Sequence, residues 1–74
     1  MTQDEIRNFI KARIVEQGYT MDEVVQLLAE DYQWSRSLSN FSGKLSRGTL
    51  RYVEAMQIAD ILGYDVVWKK RGDR

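Results

Sequence analysis

The chain of 74 residues contains no cysteine, no histidine and no proline, and each absence closes off some chemistry. Without cysteine there is no disulfide, no thiolate zinc site and no sulfur nucleophile. Without histidine the usual general base near neutral pH is missing, and so is the commonest nitrogen ligand to a metal. The lack of proline says only that helices can run uninterrupted. No apolar run approaches the roughly 18 residues of a membrane span, and the acidic start Thr2-Gln3-Asp4-Glu5 is unlike a secretory leader. The expectation is a cytoplasmic chain that is no enzyme, holds no cofactor or metal and makes no use of a membrane.

What is present fits a single small folded domain. A hydrophobic fraction of 43% and a charged fraction of 30% are those of a globular chain rather than a disordered one. A domain of this size buries only about 60% of its unfolded surface, so a second copy or partner would add much to its core. The formal net charge is +0, which does not advertise a polyanion ligand, but the charge is unevenly distributed. Residues 1–33 carry seven acids against three bases, and residues 34–74 carry eight bases against four acids. Between Asp31 and Glu54 there is no acid at all. Such asymmetry points toward a nucleic-acid partner.

Hydrophobic spacing predicts an all-α domain over residues 1–70, with helices at about 2–17, 20–31, 37–47 and 50–62. Thr2 with Glu5 and Thr20 with Glu23 have capping-box spacing. Ile6, Phe9, Ile10 and Ile14 make the inward stripe of the first helix, and Val24, Val25, Leu27 and Leu28 that of the second. Leu38, Phe41 and Leu45 give the third helix one apolar side. Thr49 is the expected cap of the fourth, which is apolar on more than one face and is expected to be the most buried. Gly18, Gly48 and Gly63 supply the stops. From Tyr64 the period changes to alternation, which predicts a short strand over 64–70 with Tyr64, Val66 and Trp68 toward the helices and Val67 outward. Residues 71–74 read as a frayed tail.

The second and third helices carry the chemistry. Leaving Leu38, Phe41 and Leu45 for the core puts Ser39, Asn40, Gly43, Lys44 and Arg47 on the other side of the third helix, where no carboxylate would repel phosphate. Asn can bond adenine in bidentate fashion, and Lys or Arg can read guanine or hold a phosphate. The N-terminus of the second helix, at Thr20, has the free N–H groups and partial positive charge that suit a phosphate.

At this point the residues resemble a family. The stretch Asn40-Phe41-Ser42-Gly43-Lys44-Leu45-Ser46-Arg47-Gly48-Thr49-Leu50-Arg51-Tyr52, followed by Ala59-Asp60-Ile61-Leu62-Gly63-Tyr64, is similar to the lambda-repressor-like helix-turn-helix proteins. Thr20-Met21-Asp22-Glu23-Val24 is similar to the family's opening of its second helix. The resemblance implies sequence-specific binding of double-stranded DNA, with the third helix in the major groove of the operator of a transcriptional regulator. Carried across by position, Asn40, Gly43 and Lys44 would lie at or near base edges, and the helix side they share adds Ser39 to the base-contact set. By the same carry-over Arg47 and Thr49 would approach phosphates, and the residue reading adds Thr20, Arg36, Ser37 and Arg51 to the phosphate-contact set. The chain departs from the pattern in a lengthened turn from Asp31 to Ser37, and in Gly43, which replaces a residue often Asn in relatives.

The strand suggests a homodimer. Its unpaired edge, Tyr64, Val66, Val67 and Trp68, invites antiparallel pairing with the same strand of a second copy, and a two-fold dimer would match paired half-sites. A competing reading is a helical adaptor that binds protein, an antitoxin-like module without DNA affinity. Single-stranded nucleic acid stacked on Tyr32, Trp34 or Trp68 is a weaker thought, since aromatics at such spacing are usually core. The carboxylate pairs Asp4/Glu5 and Asp22/Glu23 open helices, where the dipole accounts for them.

Overall fold

Side-chain caps set where the first two helices begin. In the computed structural model, which describes residues 2–72, Thr2 Oγ1 accepts the Glu5 N–H at 3.2 Å while the Glu5 carboxylate accepts back from Thr2. Thr20 and Glu23 repeat the arrangement at 3.1 and 2.9 Å. These caps open α1 (Gln3–Glu16) and α2 (Met21–Tyr32). Ser37 caps α3 (Leu38–Arg47), its Oγ accepting the Asn40 N–H at 3.2 Å. The last helix, α4, spans Tyr52–Leu62. Its cap is Arg51 rather than Thr49, because the Glu54 carboxylate accepts the Arg51 backbone N–H at 2.9 Å. Gly48 and Gly63 stop α3 and α4 in the left-handed conformation, as the sequence suggests. The stop of α2 was not foreseen: Gln33, without a glycine's freedom, takes φ 60° there.

All described helices turn an apolar side to one core. Ile14 comes from α1, Val24, Val25 and Leu28 from α2, Phe41 and Leu45 from α3, and Ile58 and Leu62 from α4. α3 packs against α1 and α2, and α4 packs against α2. Among the described residues, no helix is long and apolar enough to cross a membrane.

Three expectations require correction. Phe9 of the α1 stripe and Leu38 of α3 are exposed: Phe9 lies to the side of half-buried Ile6 and Ile10, and Leu38 stands one turn before Phe41, the first buried residue of α3. The fourth helix does not stand out as the most buried: it and α2 have three buried residues each, and α4 leaves Tyr52, Val53 and Met56 in solvent. The C-terminal strand is absent, with no strand among the described residues. A single strand has no neighbour to receive its ladder hydrogen bonds within one chain, so residues 64–70 run as irregular backbone beside α4. Trp68 and Val67 are largely exposed rather than one inward and one outward. Of the expected frayed tail 71–74, residues 73 and 74 lie outside the described residues.

Candidate nucleic-acid interface

Burying Phe41 and Leu45 fixes the rotation of α3 and thereby its outer side. Ser39, Asn40, Ser46 and Arg47 are exposed, and Ser42 and Gly43 are half-buried. Leu38, Ser39, Ser42, Gly43 and Ser46 line a shallow, open surface of small side chains along the helix. The first turn of α3 contains no acid, and its last turn carries Lys44 and Arg47. Gly43 has a local partner: the Arg47 guanidinium folds back over it, and a Cβ built there would stand 2.7 Å from Nη1.

The lengthened turn is tied down from both ends. Trp34 donates from Nε1 to Gln57 Oε1 at 2.7 Å and meets Phe41 edge-on, with ring centroids 6.2 Å apart. Tyr32 donates its hydroxyl to Asp60 at 2.5 Å, and that bond, with burial and the negative charge of Asp60, raises the phenol pKa. Arg36 donates to Gln26 Oε1 of α2 at 2.6 Å. The turn is therefore an ordered strap that carries Arg36 and Ser37 to the start of α3.

Lys44 does not share the outer side of α3 with its helix neighbours. Its ammonium donates to Glu54 Oε2 at 2.5 Å and lies 4.7 Å from the Trp34 ring centroid. Glu54 is 4% exposed, the one buried charged residue among those described. Burial pushes its carboxyl pKa up. The bonds from Lys44, from the Arg51 backbone N–H and from the Arg51 guanidinium at 3.5 Å together outweigh burial and hold it below the ordinary glutamate value. Sequence reasoning passed over Glu54, although a signal was there: positions 54, 58 and 62 form one i, i+4, i+8 stripe whose other members are Ile58 and Leu62. The acid thus stands on the core side of α4.

No family model, curated protein or solved structure matches this chain. Its own geometry has to carry any functional reading.

The remaining sequence candidates divide cleanly. Ser39, Asn40, Gly43 and Arg47 share the outer side of α3, with Arg36 and Ser37 at its entry and Thr49 exposed just past its end. Arg51 is exposed, with its guanidinium leaning toward Glu54. Thr20 stands apart: its hydroxyl already accepts the Glu23 N–H, and Asp22 and Glu23 place negative charge on that helix end. A phosphate at that end would face two carboxylates. Tyr64 is half-buried and bridges to α1, accepting from Gln17 and donating to Glu16, both at 3.0 Å. Trp68 donates from Nε1 to the Tyr52 hydroxyl at 2.8 Å.

Proposed function

We propose that this chain binds double-stranded DNA, with α3 as the helix that enters the major groove, and that it regulates transcription by occupying its site as a pair of copies. In this reading it is a relative of the lambda-repressor-like proteins, performs no catalysis and works in the cytoplasm. The observation that supports it is the outer side of α3: small, shallow and free of carboxylates, with an arginine at each end. A helix side of that kind lets its backbone approach the groove floor, while the exposed Arg36 and Arg47 supply positive charge for phosphates along it. Asn40 and Ser39 are the groups offered to base edges. Arg36, Ser37, Arg47 and Thr49 are the phosphate-positioning set. Lys44 acts from within, holding α3 against α4 through Glu54.

The test is a titration of random-sequence duplex at low and at moderate salt. DNA binding gives measurable affinity at low salt that falls steeply as salt rises, because each phosphate contact releases counterions. Complete lack of affinity at low salt would exclude the reading. A protein-binding adaptor is the second reading, favoured by the exposed Tyr52, Val53 and Met56 on α4, and it is selected by that same null result.

A further inference from the structure

The tail beyond α4 forms, with the exposed side of that helix, a strip of exposed apolar side chains. Trp68 is 82% exposed and Val67 78%, and beside them Tyr52, Val53, Met56 and Val66 are between 44% and 56% exposed. They are neighbours: Trp68 holds Tyr52 edge-on with ring centroids 6.2 Å apart, and Val53, Met56, Val66 and Val67 line one open groove. Contiguous exposed apolar surface of this kind marks an interface.

The charges at the two ends of the strip say what covers it. The tail runs back along α4, so Trp68 and Tyr52 form one end, and Lys69 and Lys70 directly follow Trp68 at that end. The groove reaches Asp60 and Asp65 at the other end. Met56 falls midway between Tyr52 and Asp60 on the helix, at the centre of the strip. A surface that is basic at one end, apolar in the middle and acidic at the other is complementary to itself when turned end for end. That is the requirement of an isologous two-fold contact, in which each residue i meets j and each j meets i.

We infer that the α4–tail strip is a homodimer interface: a second copy lies on it about a two-fold axis near Met56, with the Asp65 end of each copy against the Lys69 end of the other. This deepens the proposed pairing of copies and replaces strand-to-strand hydrogen bonding with side-chain burial as its basis. It does not require DNA, so its test contains none.

Sedimentation velocity over a concentration series is the measurement. The unaltered chain dimerises reversibly, and Met56→Glu, at an exposed position, makes it monomeric with unchanged helical circular dichroism. Asp65→Lys and Lys69→Glu each put like charges at both ends of the contact and weaken dimerisation by about tenfold or more. Mixing these two variants restores dimers, because a chain with Lys at 65 and 69 then faces one with Asp at 65 and Glu at 69, and both ends match again. A chain that stays monomeric throughout the series overturns the inference and leaves the strip to an unlike partner. Dimers that survive Met56→Glu, or variants that fail to recover on mixing, also overturn it. Loss of duplex binding in the separate titration leaves this result untouched, so failure of the DNA reading and failure of the dimer are told apart.

Discussion

The Lys44 ammonium of α3 and the buried Glu54 carboxylate of α4 meet at 2.5 Å beneath the ring of Trp34. Lys44 closes a junction at which the buried charge would otherwise lose its closest partner. Removing it leaves Glu54 with the Arg51 contacts alone, one of them from a largely exposed guanidinium. Lys44→Ala should lower unfolding stability by about 2 kcal/mol, as expected for one partner of a largely buried hydrogen-bonded pair. Urea denaturation followed by circular dichroism measures this. Replacing both partners, Lys44→Met with Glu54→Leu, should recover most of the loss, because the buried charge leaves along with its partner.

The same junction sets an acid limit on the fold. Because the carboxyl pKa of Glu54 is lower in the folded chain than in the unfolded one, ionisation favours the folded state. That contribution is complete above the ordinary glutamate value and drains away as pH falls through the lower folded value. Denaturation midpoints should therefore fall between neutral and acid pH, and Glu54→Gln should flatten that profile. A profile of unchanged steepness in Glu54→Gln would assign the acid sensitivity to other carboxylates.

Gly43 within α3 and Gly48 at its end should respond oppositely to alanine. Gly48 has φ +65°, and a Cβ there would stand 2.8 Å from Gln3 Cγ of α1. Gly48→Ala should cost about 1–2 kcal/mol through left-handed backbone strain and the displaced Gln3. Gly43 lies in the helix interior, and the atom a Cβ would meet is the movable tip of Arg47. Gly43→Ala should gain about 0.5–1 kcal/mol from helix propensity while dislodging that guanidinium. Thermal melts of the two variants compare them directly.

Arginine and lysine of the same helix should separate in DNA titrations. Arg47→Ala should weaken binding to all duplexes alike and reduce the slope of log affinity against log salt by about one. Lys44→Ala should leave that slope unchanged in the folded population, because its charge is already matched by Glu54. Asn40→Ala should act differently again, reducing discrimination between duplex sequences at nearly constant salt slope. Equal salt slopes for the Arg47 variant and the unaltered chain would remove Arg47 from the interface.

The helices were legible in the sequence because their signals are local. A Thr three residues before a Glu, an apolar stripe at helical spacing and a glycine at the end act within a few residues of chain, whatever the rest of the protein does. The outer side of α3 was legible on the same ground: once Phe41 and Leu45 are assigned inward, helical geometry puts Ser39, Asn40 and Arg47 opposite. The alternation of Tyr64, Val66 and Trp68 was equally local, and it misled, because a strand needs a neighbour that no local pattern supplies.

Sequence alone determined the four helical segments, two of their caps and the acid-free stretch from Tyr32 to Val53. Tertiary structure alone decided that Lys44 turns from the outer side of α3 to Glu54, that the long turn is strapped down by Trp34 and Gln57, and that the α4–tail strip stays in solvent. The division follows from range. Caps and stripes involve residues within about a turn or two of each other, whereas the charge match joins residues ten apart and the Trp34 bond residues 23 apart, which only packing brings together.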